Sequence, residues 1–382
     1  MIRVHTVNQG PSIYLHSSME SMHTLRLIQG VTAFGREQTP LWNVRWGNIL
    51  SENTFPGINE MDGVLTFGVG EGGRKLLKTL TPPVVNLSSS NLPWASVASV
   101  SPDDVAIGRM AATYFQERLY KNFAFFGVAS HVYSRERLAG FQARLGRTDF
   151  PVFANEKKSA QPYGERLGAF LLALPHQTAL FCANDYFARR ACQAAVEMDV
   201  SVPDQLAILG VDADELISQS SPVPVSSVDP DAHRMARRGA ELLGQILRGE
   251  MDRHHQELFP PATVRTDRST DALATEDAGL AKALAFIREQ AYMGISVDDV
   301  ALAAGLGRRT LERRFKDALG HGVDPYIRRT RLHRAKTLLR DSPLTIAEIS
   351  ERCGFNTVYY FSTVFKKETG VTPGSYRRPP SR

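Results

Sequence analysis

From residue 12 to residue 211, short apolar runs recur along the chain, and helical patterns separate most of them. The runs predict strands over 12–15, 43–46, 63–67, 84–87, 95–100, 123–128, 179–182 and 207–211. Between and after them, apolar positions three and four apart predict amphipathic helices over 25–35, 107–120, 135–145, 164–174, 185–198 and 232–247. Nearly continuous apolar strands alternating with helices imply doubly wound parallel sheets covered on both faces. Some 260 residues exceed one such sheet, so two α/β lobes with a cleft between them are expected.

The tail follows a different rule. The polar stretch 265–279 has no sustained apolar period and reads as a linker. Beyond it the chain is helical and contains a diverged internal repeat. Val297, Val300, Ala301, Ala304 and Gly305 align with Ile346, Ile349, Ser350, Cys353 and Gly354 at an offset of 49, and Leu311, Phe315 and Lys316 align with Phe361, Phe365 and Lys366 at an offset of 50. Each copy is a short helix, a turn at glycine and a second amphipathic helix, which is helix-turn-helix spacing. In the first copy Arg309, Glu312, Arg313 and Lys316 oppose the apolar side, with Arg308 beside them as a further DNA-binding candidate; in the second, Tyr359, Ser362, Thr363 and Lys366 look outward. Arginine can pair with guanine, glutamate can accept from cytosine, and lysine can neutralise phosphate.

Charge sharpens this division. Residues 280–382 carry 19 Lys and Arg against 10 Asp and Glu, a net +9, which leaves −4 on the rest of a chain whose total is +5. A basic tail on an acidic body predicts a polyanionic partner for the tail, double-stranded DNA first. No run of eighteen apolar residues occurs, and the opening residues lack a basic run followed by an apolar one. Both point to a cytoplasmic protein without a membrane segment. Three cysteines without a CxxC pair give no basis for structural zinc or a disulfide framework.

Ligands of open α/β sheets sit beyond the C-terminal strand ends, and polar residues gather there. Asp103 follows one strand, Asn184 and Asp185 another and Asp212 a third, while Arg137 lies near the start of a helix. Carboxylates accept from vicinal hydroxyls and a guanidinium donates a rigid fork, so the set suits a sugar or small polyol. An aspartate in such a place can equally cap the following helix.

The segments SRERLAGF (134–141), CANDYFARRACQAAVEMDVSVPDQLAILGVDADEL (182–216) and VSSVDPDAHRMARRGAELL (225–243) resemble the effector domain of LacI/GalR-type repressors, whose fold is that of periplasmic sugar-binding proteins. The resemblance implies that Arg137, Asn184, Asp185 and Asp212 contact the effector, with Asp103 at another ligand-facing position. Such repressors begin with a helix-turn-helix, whereas here a strand comes almost at once, so the DNA reader is expected elsewhere. LERRFKDALGHGVDPYIRRTRLHRAKTLL (311–339) and IAEISERCGFNTVYYFSTVFKKETGVTPGSYR (346–377) resemble the AraC-type DNA-binding domain. That resemblance implies two helix-turn-helix modules joined by a long helix, with Arg309, Glu312 and Arg313 reading bases in the first and Thr357, Tyr359, Tyr360 and Thr363 in the second. Many relatives carry arginine where Thr363 stands, which leaves more of the specificity to the first module.

The combined order resembles XylR-type regulators. It implies an effector domain over 1–268, a linker over 269–279 and a DNA-binding domain over 280–382. It further implies a homodimer with DNA half-sites and RNA polymerase as partners, and a pentose effector such as D-xylose, for which no residue argues by itself. Neither cofactor nor metal is expected. Two other readings remain open at this level. A transport-type solute-binding protein would need an export signal and no basic reader. A nucleotide-dependent sugar enzyme would rest on GVGEGG (68–73), yet the next strand ends in Asn86 and serines where a dinucleotide site needs an acidic residue. Trp42, Trp46 and Trp94 are candidates for stacking on a sugar ring, though aromatic residues more commonly serve the core.

Overall fold

The structure, a computed structural model, describes residues 10–17, 21–47, 57–68, 77, 79–89, 97–154, 161–275 and 277–377. It divides into two compact units, Met1–Ala112 with Phe123–Asp271 and Thr113–Asn122 with Ala272–Arg382.

In the first unit, β1 (Ser12–Ser17), β2 (Asn43–Gly47), β3 (Gly63–Phe67), β4 (Val84–Asn86), β5 (Ala98–Pro102) and β11 (Gln256–Phe259) form a parallel sheet in the order β11-β5-β4-β3-β1-β2. A second sheet has the order β12-β10-β9-β8-β6-β7. It is built from β6 (Asn122–Gly127), β7 (Val152–Ala154), β8 (Thr178–Cys182), β9 (Leu206–Val211), β10 (Ser226–Asp229) and β12 (Thr263–Arg265), the last antiparallel to β10. Both sheets place their second strand outside the first and the third on its other side. The topological switch points therefore fall between β1 and β3 and between β6 and β8, where such sheets open a crevice for ligand.

The apolar runs become strands because both faces are covered. Ile13, Leu15, Leu65, Val85, Ala98 and Val100 share one core with Leu27 and Val31 of α1 (Met22–Glu37) and with Met235, Ala236, Leu242 and Leu243 of α7 (Ala232–Leu247). Every residue of β8 and β9 is buried, as a central parallel strand requires. The strands that periodicity does not announce, β7, β10, β11 and β12, have four residues or fewer. In β10 two buried serines stand where apolar residues would signal a strand. Ser226 is satisfied by Ser269 and Thr270, so the polar stretch expected to be a loose connector from residue 265 onward is docked through Thr270.

The second unit is all-α. It contains α8 (Ala278–Gln290), α9 (Val297–Ala304), α10 (Arg308–Leu319), α11 (Val323–Asp341), α12 (Ile346–Arg352), α13 (Val358–Thr369) and α14 (Pro373–Arg377). It has two small cores with α11 running through both. Val323, Tyr326 and Ile327 enter the first with Leu311 and Phe315, and Leu332, Ala335 and Leu339 enter the second with Phe361 and Phe365. Each module opens with a reciprocal capping box, Ser296 with Asp299 and Thr345 with Glu348, which satisfies otherwise orphaned N–H groups. Among the described residues no helix is long and apolar enough to cross a membrane.

Candidate functional site

The C-terminal ends of β1, β6, β8 and β9 carry the polar cluster. Arg137, in α3 (Val132–Leu145), is 5% exposed, and its Nε donates to Asp104 Oδ1 at 2.7 Å while Nη1 donates to the carbonyl of Ala183. The same Nη1 stands 3.9 Å from Asp212 Oδ1. The ring of Tyr133 lies 5.0 Å from the guanidinium, and burial pushes the phenol up to about 12. A buried guanidinium is tolerable only when paired, and Asp104 and Asp212 supply that pairing.

Asp212 holds a strained position. It has φ +109° and its neighbour Ala213 φ +51°, a backbone region that side chains other than glycine seldom adopt and that clusters at functional sites. Burial raises its carboxyl to about 7, against the pull of Arg137 and with the push of Asp104. From the first lobe, α1 clasps the same loop. The Met22 N–H donates to Asp214 Oδ2 at 3.1 Å, Arg26 Nη1 donates to the Asp212 carbonyl at 3.2 Å, and His23 Nδ1 stands 4.0 Å from Asp212 Oδ1.

The structure gathers the expected residues but divides their work. Asp103 caps the following helix, α2 (Asp104–Gln116), accepting from the Ala106 N–H at 2.8 Å. It is the next residue, Asp104, buried at 1% exposure, that meets Arg137. Asp185 is committed on both oxygens, accepting from the Ser227 hydroxyl at 2.6 Å and from the Asp214 N–H at 2.8 Å. Burial and the nearby Asp212 raise its carboxyl well above the usual range. Its geometry therefore shapes the 212–214 loop. Asn184 caps α5 (Asp185–Glu197) through Phe187, and its amide reaches Tyr133 at 3.5 Å.

A cavity of about 170 Å³ borders this cluster, lined among others by Asn86, Ser88, Ser99, Ser101 and Glu136. Burial raises the Glu136 carboxyl, and Asp104 and Asp103 add to the shift. Asp104, Tyr133, His23 and Asn86 were not legible as site residues from the sequence. Tyr133, His23 and Asn86 lie outside the motifs, Asp104 stands beside the expected Asp103, and only the topology brings them to the strand ends. Trp46 is exposed on the edge strand β2, Trp42 packs edge-on against Phe34, and Trp94 and most of the glycine-rich segment from Gly68 lie outside the described residues.

In the second unit the two copies match residue for residue. Over 311–320 and 361–370 the sequence of buried, intermediate and exposed positions is identical, with Leu311 and Phe315 standing where Phe361 and Phe365 stand. Arg309, Arg313 and Lys316 are exposed on α10, and Tyr359, Tyr360, Thr363 and Lys366 on α13. Three expected base readers have other bonds. Glu312 accepts from the Val323 N–H at 3.3 Å and so fastens α11, the Thr357 hydroxyl caps α13, and the Thr363 hydroxyl donates to the Tyr359 carbonyl. Arg308 pairs with Asp298 at 2.9 Å on the open surface. Arg309, Arg313 and Lys316 therefore remain as the cationic stripe of the first module.

Residues 94–270 match the family described as a periplasmic binding protein-like domain, and residues 300–379 match a helix-turn-helix domain family. The chain is 32% identical over 286 residues to the xylose operon regulatory protein of Haemophilus influenzae, covering 73% of this chain and 74% of that one. It is 31% identical over 317 residues to the protein of the same name in Escherichia coli K12, covering 81% and 78%. Among solved structures, the xylose-binding transcription activator xylR aligns with a TM-score of 0.61 and 28% identity over 97% of this chain and 99% of that one.

Proposed function

The chain belongs to the family of xylose operon regulatory proteins, and on that premise we propose that it activates sugar-catabolic transcription when a pentose, D-xylose first, occupies the cleft around Arg137. It is a sugar-responsive, DNA-binding transcription regulator rather than an enzyme. The observation that carries the effector site is the buried Arg137 between Asp104 and Asp212, at the crevice where the two sheets' strand ends face each other. Carboxylates and a fixed guanidinium at that crevice suit vicinal hydroxyls. Asp212, Asn184 and Tyr133 are the groups we assign to effector contact, with Asp104 and Asp185 holding the others in place.

The reader is assigned to Arg309, Arg313 and Lys316 in the first module and to Tyr359, Tyr360 and Lys366 in the second. We further propose that two copies of the chain engage paired half-sites in the cytoplasm and that the bound dimer contacts RNA polymerase. Sugar shifts the protein between states only by binding one of them better. Thermal unfolding with a panel of neutral pentoses and hexoses, joined to duplex binding with and without each, tests this reading. D-xylose raises the melting temperature and changes duplex affinity. If no sugar moves either quantity, the reading fails.

A further inference from the structure

Lobe one reaches the cleft with a side chain that no motif marks. His23 lies in the first turn of α1, directly after the strand that borders the switch point between β1 and β3. It is 7% exposed, and neither ring nitrogen has a hydrogen-bond partner among the described residues. Its ring lies against Phe67, which ends β3, with centroids 4.9 Å apart. Burial holds the imidazole down at about 4, and Arg137 and Arg26 push the same way, so the ring is neutral in the cell. A neutral imidazole offers one N–H donor and one lone-pair acceptor. Leaving both unpaired in a buried site is costly, unless a ligand completes them.

The partner it faces narrows the chemistry. Nδ1 is 4.0 Å from Asp212 Oδ1, so a single hydroxyl oxygen at about 2.8 Å from each can bond both. Arg137 is taken up by Asp104, Ala183 and Asp212, and Arg26 by the Asp212 carbonyl and Glu215. An anionic effector would meet Asp104 and Asp214 beside it, and would have to compete with Asp104 and Glu215 for Arg137 and Arg26.

We infer that His23 is the specificity-determining residue of lobe one, its Nδ1 pairing with a hydroxyl of an uncharged polyhydroxy effector and sharing that hydroxyl with Asp212. This rests on the effector reading above and says which atoms select the sugar. His23→Phe keeps the ring packing on Phe67 and deletes both polar atoms.

Calorimetric titration of the full chain with D-xylose, L-arabinose, D-ribose, D-glucose, xylose 5-phosphate and the monodeoxy analogues of the best binder tests it. Wild type binds a neutral sugar and not the phosphate. The phenylalanine variant binds that sugar at least about tenfold more weakly. The deoxy analogue that lacks the shared hydroxyl costs wild type about tenfold but the variant less than about twofold, since the partner is already gone. Without sugar the variant melts no lower than wild type, because two unpaired buried atoms have been removed. His23→Gln, which keeps a donor and an acceptor at a different reach, reorders the sugar panel and serves alone if the phenylalanine variant does not fold. Binding within twofold of wild type in His23→Phe, equal deoxy losses in both proteins, an unchanged ranking in His23→Gln, or tight binding of the phosphate overturns the inference and leaves the effector reading standing. If wild type binds none of the neutral sugars, the effector reading falls, and this inference falls with it.

Discussion

Asp212 titrates near neutrality because burial opposes its charge more strongly than Arg137 supports it. A folded carboxyl at about 7, against an ordinary value of 3.8, holds a proton between those limits that the unfolded chain has lost. Without effector, Asp212 therefore makes the folded state less stable as pH rises from about 4 towards 7, and the loss levels off above 7. Hydroxyl donors favour the carboxylate form, so effector affinity should rise across pH 5.5–7 and flatten beyond it, with binding releasing a proton at the acid end. His23, held at about 4, stays neutral throughout that window and does not confuse the reading. Titrations in buffers of different ionisation enthalpy measure the proton release. Asp212→Asn should bind at least about tenfold more weakly and without this pH dependence, and an unchanged slope in that variant would assign the titration elsewhere. At this scale the motifs made Arg137 and Asp212 legible, but not the roles of their neighbours. Asp103 and Asp104 are indistinguishable in the sequence, and which one caps a helix and which meets Arg137 depends on a helix phase that only the fold settles.

The helix-turn-helix pairs were legible as elements because duplication repeats the apolar spacing, and the identical burial of 311–320 and 361–370 is its physical counterpart. The two turn glycines are equivalent in sequence yet not in surroundings. Gly305 has φ +67° and open space where a side chain would go, whereas Gly354 has φ +74° and would place a Cβ 2.8 Å from the Tyr292 carbonyl oxygen. Left-handed backbone costs a residue with a Cβ about 1–2 kcal/mol, so Gly305→Ala should lose about that much. Gly354→Ala should lose about 1–3 kcal/mol more, the range for forcing atoms into a packed site. Hydrogen exchange of amides over 297–369 measures both losses, and equal losses in the two variants would mean that the second turn yields without cost. The α/β elements divide by burial. Long central strands such as β8 and β9 are apolar throughout and stand out, while β10 is hidden because Ser226 and Ser227 are satisfied by Thr270, Ser269 and Asp185 instead of by apolar packing. Hydrophobic periodicity is silent where hydrogen bonds do the burying.

For the whole molecule, the charge asymmetry of −4 and +9 agrees with duplex binding by the helix-turn-helix tail. Two sites in one chain, one for sugar and one for DNA, make the coupling between them a single free energy. If D-xylose tightens the duplex complex by some factor, the duplex must tighten D-xylose binding by the same factor. Couplings of this kind are commonly about 5–150-fold, and we expect a value in that range. Calorimetry of D-xylose into free protein and into protein saturated with operator duplex, set beside duplex titrations with and without sugar, gives both factors at one salt concentration. The salt must be common to all four measurements because phosphate contacts make the duplex arm steeply salt-dependent. Two equal factors well above one place the regulation in affinity. Two factors near one, in a protein that still activates only with sugar, would place it instead in the geometry of the bound complex. In that case His23→Phe would move activation to at least about tenfold higher sugar while leaving operator occupancy as it was.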